Sequence, residues 1–185
     1  CSILFCTFSF QLLAQTDAEK AAMQKWQEYM TPSDVHKLFE KDNGEWNEEI
    51  TMWMAPDAEP VKSTATVVNS MLLGGRFQQS KHTGNMMGMP FEGIATTGYD
   101  NAKKTIVSTW IDNMGTGIMY MQGTYDEASK TINLSGTAVD PMTGNDMKVR
   151  EVFKWIDDNT QQMEMFMTQN GQEFKTMEIK LTRKK

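Results

Sequence analysis

The sequence predicts an all-β fold, an antiparallel up-and-down β-barrel of about ten strands that follows two short N-terminal helices. After Gly44 the chain consists of segments in which apolar and polar residues alternate, without a convincing helical period. Turn-forming residues separate these segments at roughly even spacing, and Asn170-Gly171 is the strongest hairpin signal among them. A two-sheet sandwich is the structural alternative. The difference matters because a barrel of this size can enclose a small ligand, whereas a sandwich core is filled.

Length and charge limit the classes of function. The chain has 185 residues, which suits one domain with a real core, and a formal net charge of -6 from 18 basic and 24 acidic residues. The basic residues are scattered, apart from the short tail that ends at Lys185. No basic stripe could follow a phosphate backbone, so nucleic acid is not an expected partner.

Residues 1–15 are predicted to be a signal peptide that is truncated at its start, because an initiator Met and a basic segment are missing. The apolar run is too short for a transmembrane span. A buried N-terminal strand and a lipid anchor on Cys1 are the alternatives. We therefore expect an exported protein, periplasmic or extracellular. Since Cys1 and Cys6 both lie in this segment, disulfides, zinc–thiolate sites and a cysteine nucleophile are not expected after cleavage.

Residues 16–43 are predicted to be helical. Asp17 is a candidate N-cap of a first helix that ends at Tyr29, with an apolar stripe at helical spacing. A second helix would begin with Thr31 as its cap and end at Asn43-Gly44. The barrel domain would then occupy residues 44–185.

The barrel strands are predicted from alternation and from the turns between them. The segment Gly84–Pro90, with three methionines, is interpreted as a loop at the barrel rim. On the C-terminal strands, Met163, Met165 and Met167 share one face, and Glu151 shares a face with apolar neighbours. The predicted strands are 45–54, 61–72, 76–82, 91–99, 104–112, 117–125, 131–139, 146–156, 161–169 and 173–182.

Four segments carry a family resemblance: HKLFEKDNGEWNEEITMW, LLGGRF, PFEGIATTGYDNAKKTIVSTWID and KTMEIKLTRK. Together they resemble domain-of-unknown-function family 1579, a bacterial group, over roughly Met23 to Lys184. The most specific segments are Gly-Gly-Arg-Phe at 74–77 and the stretch from Phe91 to Asp112. This resemblance implies no activity and no catalytic residue.

A second, more distant resemblance concerns the start of the first strand. Gly44-Glu45-Trp46 resembles the Gly-x-Trp that opens lipocalin-type (calycin-like) barrels. In such barrels an arginine late in the chain often packs over the tryptophan and closes one end. The resemblance implies this role for Arg183, with Arg150 and Arg76 as alternatives. It also implies that the barrel binds a small apolar molecule; some such barrels bind haem.

Few residues suit catalysis or metal binding. The sequence has two histidines: His36 is interpreted as a packing or capping residue of the second helix and His82 as a residue at the edge of a loop. No HExxH motif, phosphate-binding glycine loop or Gly-x-Ser-x-Gly elbow is present. Arg76 is the candidate polar anchor for a ligand carboxylate, and a salt bridge to a glutamate is its alternative role.

The 17 methionines have three interpretations. A spacing of two on a strand places thioethers on one face, where they fill a core or line an adaptable pocket. A Cu(I) site and a redox buffer are the alternatives, but copper sites of this kind usually include histidine or cysteine. No metal and no cofactor are predicted.

The sequence therefore predicts a barrel that binds a small hydrophobic or amphipathic molecule in its interior, with unknown oligomeric state. One alternative is an enzyme that uses the same cavity, with Arg76 and an acidic residue such as Glu92 or Asp112. The other is a structural barrel with a filled core and no ligand. The candidate ligand-binding residues are Trp46, Trp53, Arg76, Phe77, Tyr99 and Trp110.

Overall fold

The computed structural model describes residues 16–169 and 171–185. The predicted signal peptide, residues 1–15, lies outside the described residues. Two helices come first, α1 (Asp17–Met30) and α2 (Asp34–Glu40). Ten strands follow: β1 (Gly44–Met52), β2 (Val61–Leu72), β3 (Phe77–Met86), β4 (Met89–Asp100), β5 (Thr105–Asp112), β6 (Met119–Asp126), β7 (Thr131–Val139), β8 (Asp146–Asp157), β9 (Thr160–Gln169) and β10 (Gln172–Arg183).

The ten strands form one closed antiparallel barrel. Each strand pairs with the strands before and after it in sequence, and β1 pairs with β10 as well as with β2. The closing ladder runs from Trp46 opposite Arg183 to Met52 opposite Met177. The predicted barrel is therefore confirmed, and the sandwich alternative is wrong. Closure leaves no unpaired sheet edge.

Helix α1 forms a compact unit of its own, because the chain divides between Thr31 and Pro32. Its N-cap is Thr16 rather than Asp17: the Thr16 hydroxyl accepts from the Glu19 N–H, and the Glu19 carboxylate accepts from the Thr16 N–H at 2.8 Å. This reciprocal capping box satisfies two free backbone donors. The helix is exposed along its whole length, including Trp26 at 61%.

Helix α2 belongs to the same compact unit as the barrel and contacts β2, β3 and β4. Its N-cap is Ser33 rather than Thr31, since Pro32 separates the two and the His36 side chain accepts from the Ser33 N–H at 2.9 Å. His36 is buried, with its ring edge-on to Tyr99 at 5.9 Å between centroids, so its predicted capping and packing role is confirmed. Phe39 is also fully buried and joins the core.

The segment Gly84–Pro90 is not a loop, which corrects the sequence interpretation. Strand β3 continues to Met86 and β4 begins at Met89, so only Met87 and Gly88 form the turn. Both residues have positive φ, 53° and 82°, as a two-residue hairpin turn of this hand requires. Gly adopts this conformation without strain, whereas Met87 is held there by the pairing of the strands on either side.

The two ends of the barrel differ. We call the end at which β1 starts the closed end, because α2 and the β10 terminus meet there, and we call the opposite end the open end. The open end carries the β1–β2, β3–β4, β5–β6, β7–β8 and β9–β10 connections. Several exposed apolar side chains lie at this end: Met54, Met87, Met89, Met114, Ile118, Val139 and Met142.

Candidate ligand-binding site

The strand register defines which side chains face the barrel interior. Trp46 and Glu48 on β1 lie opposite Val67 and Ala65 on β2, and all four point inward. Following the pairing around the barrel gives the rest of the inward-facing set. It includes Ser63, Ser80, His82, Gly84, Phe91, Gly93, Ala95, Tyr99, Ile106, Ser108, Trp110, Met121, Leu134, Val149, Glu151, Phe153, Met163, Met165, Met167, Met177, Ile179 and Leu181.

Asp42, between α2 and β1, organises the closed end. Its carboxylate accepts hydrogen bonds from Trp155 Nε1 at 2.8 Å and from Gln161 Nε2 at 2.7 Å. Its carbonyl oxygen accepts from Trp46 Nε1 at 2.9 Å and from Asn69 Nδ2 at 3.2 Å. Burial raises the pKa of Asp42 to about 6, although the hydrogen bonds to its carboxylate and the nearby Arg183 oppose the rise. The network joins four strands to the segment that enters the barrel.

Arg183 covers Trp46 at the same end. Its guanidinium carbon lies 4.2 Å from the centroid of the indole, and its two terminal nitrogens donate to the carbonyl oxygens of Asn43 and Lys41 at 2.8 and 2.6 Å. A cation over an indole face is attractive, and the planar fork of arginine suits two acceptors. Of the three candidate arginines, Arg183 therefore occupies this position. Arg150 instead pairs with Glu173 on the barrel surface.

A hydrogen-bonded pair of Glu48 and His82 lies further inside. His82 Nδ1 is 3.1 Å from both carboxylate oxygens of Glu48. The Glu48 side chain is 2% exposed and that of His82 is 16% exposed, so bulk water does not screen the pair. The carboxylate fixes the orientation of the imidazole ring, because a hydrogen bond at one ring nitrogen holds the ring in place.

Trp110 completes this region of the interior. Its ring is edge-on to His82 at 5.1 Å between centroids and stacks with Phe91 at 6.3 Å. The indole lies directly over Gly93 on the neighbouring strand, where a Cβ atom would collide with the ring. Its Nε1 donates to Asp112 at 2.6 Å. Gly93 thus lets Trp110 lie flat against the wall, which keeps its bulk out of the middle of the barrel.

Glu151 faces His82 from the opposite wall, because β3 and β8 are five places apart in a ring of ten strands. Burial raises the pKa of Glu151 to about 7, and the charge of His82 partly opposes the rise. Among residues 16–169 and 171–185, no side chain or backbone group forms a hydrogen bond with the Glu151 carboxyl group. Protein surrounds this side chain, yet part of its surface stays accessible to solvent.

The two sides of the interior differ in bulk. On β2, β3 and β4 the inward residues include a group of small ones: Ser63, Ala65, Ser80, Gly84, Gly93 and Ala95. Facing them on β8 and β9 are Glu151 and the three methionines of β9, all of which keep partial solvent accessibility. Long flexible side chains opposite short ones form an adaptable apolar wall.

The comparisons with known proteins identify the family. The family described as protein of unknown function (DUF1579) matches residues 31–183. The chain belongs to this family. Its fold is also similar to a solved structure titled "Crystal Structure of Rv2717c from M. tuberculosis", with a TM-score of 0.64 and 15% sequence identity over 84% of this chain and 100% of that chain. This similarity is one of fold. No curated protein matches the chain.

The structure places three of the six predicted ligand-binding residues of this DUF1579 protein inside the barrel. Trp46 lies at the closed end under Arg183, and Tyr99 contacts His36 near the same end. Trp110 lies beside His82, against the wall formed by Gly93. Tyr99 and Trp110 face the same way, because each is inward in the β4–β5 ladder.

The other three lie elsewhere. Phe77 is on the outer face, 40% exposed, with its ring over Gly98. Trp53 lies in the β1–β2 connection at the open end, where it lines a depression of about 310 Å³ together with Phe174 and Lys175. Arg76 is exposed in the β2–β3 turn and donates to the Leu73 carbonyl at 3.0 Å. Arg76 thus precedes β3, which begins at Phe77, and its role as polar anchor stays a prediction.

Glu48 and His82 are not among the candidate residues predicted from the sequence, yet the structure brings them together in the interior. His82 was expected at a loop edge, but β3 extends to Met86 and pairs His82 with Val67. The available signal was the strict alternation Trp46, Glu48, Ile50 and Met52, which places a carboxylate on an otherwise apolar face. A buried charge on an apolar face needs a partner, and His82 provides it.

Two further findings concern metals and membranes. Among the residues that the structure describes, no group of three or more His, Cys, Asp or Glu side chains converges closely enough to bind a metal ion. No described helix of this DUF1579 protein combines the length and the apolar character that crossing a membrane would need.

Proposed function

We propose that this barrel binds a small amphipathic molecule in its interior. The observation that carries the proposal is Glu151, an ionisable side chain that protein surrounds, that forms no hydrogen bond with any described residue and that faces the interior opposite His82. Glu151 keeps some accessible surface, but burial makes its charged form unfavourable, and no described residue donates a hydrogen bond to offset this. A polar group of a ligand, together with water, would supply the missing partner.

The apolar part of the ligand would lie against the methionine wall. Met163, Met165 and Met167 project into the interior and keep accessible surface, as does Phe153 next to them. Thioether side chains adapt to different ligand shapes. An apolar wall with a few convergent polar groups is the usual composition of a small-molecule site.

The polar part would lie between Glu48–His82 and Glu151. Glu48 holds His82 Nδ1, and within residues 16–169 and 171–185 no hydrogen bond to His82 Nε2 is formed, so a ligand could bond there. Ser63 supports this picture, since its hydroxyl is buried on an inward-facing position without a hydrogen-bond partner among the described residues. These groups would form the polar anchor.

We also propose a lipocalin-type relationship and export from the cell. Arg183 over Trp46 at the closed end supports the relationship. The apolar run that precedes Ala14 and Gln15 supports export. Fusion of residues 1–15, preceded by a Met and a basic segment, to a reporter enzyme would test the second proposal, with secretion as the expected result.

The experiment for the binding proposal compares a variant whose barrel interior is filled by an added side chain with a variant whose interior is unchanged. Decanol is titrated into the protein, and tryptophan fluorescence reports binding. Ala65→Phe places a ring among the small inward residues and should weaken decanol binding by more than about tenfold. Thr64→Phe, which places the same ring on the outer face of the same strand, should leave it unchanged. Absence of saturable binding by the unmodified protein, or equal binding by both variants, would contradict the proposal.

A second candidate function is catalysis on the bound molecule. The Glu48–His82 pair favours it, because a carboxylate-oriented imidazole is a common acid–base group. Residues predicted for an enzyme do not meet: Arg76 lies at the closed end and Asp112 at the open end, and Glu92 is exposed on the outer face. Mass spectrometry can compare the small molecules that copurify with the unmodified protein and with Glu48→Gln. Catalysis requires that a product be found with the unmodified protein and be missing from Glu48→Gln.

A further inference from the structure

We propose that the ligand carries a positively charged or strongly hydrogen-bond-donating polar end, such as a protonated primary amine, and that Glu151 selects it. This inference rests on the proposed binding function, since it names the chemical class of the molecule held inside the barrel.

The first observation is the sign of the charges that face the interior. Glu48, Asp112 and Glu151 point inward from three different strands, and His82 is the inward histidine of the described strands. Among the inward-facing positions of the described strands, Arg183 alone is a lysine or arginine. Its guanidinium is already hydrogen-bonded to carbonyl oxygens at the closed end. The interior therefore offers hydrogen-bond acceptors in excess of cations.

The second observation is the unequal state of the inward carboxyl groups. Glu48 is held by His82, and Asp112 accepts from Trp110 Nε1 and from the backbone N–H of Met114 at 2.9 Å. Glu151 has no such partner among the described residues. The charge that His82 carries when protonated is shared with Glu48 at 3.1 Å, so it stabilises Glu151 only in part. Glu151 is the carboxyl group whose partner would come from a ligand.

Third, other polar groups of a ligand would bind less favourably beside Glu151. A ligand carboxylate in this place would be repelled by Glu48 and by ionised Glu151, in surroundings that screen charge poorly. A neutral hydroxyl could accept or donate one hydrogen bond but would leave the carboxylate charge uncompensated. A protonated amine supplies three donors and the opposite charge, and charge-assisted hydrogen bonds of this kind are the strong ones.

The test compares three probes with the same chain, decylammonium, decanol and decanoate. Tryptophan fluorescence and calorimetry at pH 8 give each affinity. We expect the order decylammonium, decanol, decanoate, with decylammonium about tenfold to a hundredfold tighter than decanoate. Decanoate binding as tightly as decylammonium would overturn this inference and leave the binding function standing. If none of the three probes bound saturably, the binding function itself would fail.

Variants assign the selection to Glu151. Glu151→Gln should lower the affinity for decylammonium about tenfold to a hundredfold and leave that for decanol within about twofold. Glu49→Gln removes the same charge from the exposed outer face of β1 and should change neither affinity. Equal losses in the two variants would mean that the overall negative charge of the protein attracts the probe, which would refute a role for Glu151.

A pH series adds a readout that a merely structural residue would not give. Decylammonium stays protonated below about pH 9, since alkylamines titrate near the lysine value. Burial raises the pKa of Glu151 to about 7, so its carboxyl group ionises between pH 6 and 8 and decylammonium should bind more tightly across that range. Glu48, His82 and Asp112 also face the interior and contribute to any pH dependence. The part of the pH dependence of decylammonium affinity that disappears in Glu151→Gln is due to Glu151. An affinity that changes with pH equally in this variant and in the unmodified protein would contradict the proposal.

Discussion

Neutralising Glu151 should stabilise the free protein at neutral and alkaline pH. In the folded barrel this carboxyl group has no hydrogen-bond donor among the described residues, and burial raises its pKa from 4.5 to about 7. In the unfolded chain water solvates it. The folded state therefore prefers the protonated form, and ionisation opposes folding. Glu151→Gln removes the ionisation and keeps the size of the side chain.

The magnitude follows from the two pKa values. For a group whose folded pKa is raised, the associated stability is fully present below the unfolded value and is lost as the pH rises through the folded value. The shift from 4.5 to about 7 corresponds to about 3 kcal/mol at pH 8 and to less than about 1 kcal/mol at pH 5. Any pH-independent cost of placing an amide in the interior cancels when the two pH values are compared.

The assay is urea denaturation of the unmodified protein, Glu151→Gln and Glu49→Gln at pH 5, 6, 7 and 8. We expect the free energy of unfolding of Glu151→Gln to gain about 2–3 kcal/mol on the unmodified protein between pH 5 and 8. Glu49→Gln should stay within about 0.5 kcal/mol of the unmodified protein, because Glu49 is exposed. A constant difference between Glu151→Gln and the unmodified protein would refute the raised pKa of Glu151 in the folded barrel.

Two further pairs of substitutions test the closed end and the interior wall. Arg183→Ala should destabilise the protein by about 2–4 kcal/mol in urea denaturation, because it removes the cation from the Trp46 face and the donor to three carbonyl oxygens. Arg150→Ala removes an exposed pair and should cost less than about 1 kcal/mol; equal losses would contradict a closing role for Arg183. Gly93→Ala should destabilise by about 1–3 kcal/mol and change tryptophan fluorescence, since the new methyl group displaces the indole above it. In Gly117→Ala the new methyl group would point into open space, so stability and tryptophan fluorescence should not change. Equal effects of the two glycine variants would contradict the close packing at Gly93.

Alternation along the strands let the sequence predict much of the wall. Met163, Met165 and Met167 share the inward face, as their spacing of two predicted, and Glu151 faces inward with the apolar residues of β8. The helix ends were less accurate, because Thr16 and Ser33 cap α1 and α2 in place of the neighbouring residues that were expected. Several polar residues lie near the start of each helix, and which of them becomes the N-cap depends on the backbone conformation of the segment that follows.

The β3–β4 turn shows why the sequence prediction of a loop over Gly84–Pro90 was wrong. Gly84 and Pro90 suggested a loop, because both residues weaken a strand when read one at a time. Tertiary pairing overrode this tendency: β3 and β4 form a ladder up to Met86 opposite Met89, and Met87 adopts a positive φ to close the turn. The extra length of β3 also places His82 within the ladder instead of at its end.

By itself, the sequence determined the fold class, the number of strands and the face on which most apolar residues lie, since these depend on local periodicity and turn chemistry. Only the tertiary structure decided which residues form the candidate site. Glu48 and His82 meet because β1 and β3 both border β2, and Glu151 faces them because the barrel closes with β8 opposite β3. Arg183 was one of three candidates until β10 paired with β1 beside Trp46. Contacts between residues far apart in the chain depend on strand order and closure, which no local pattern encodes.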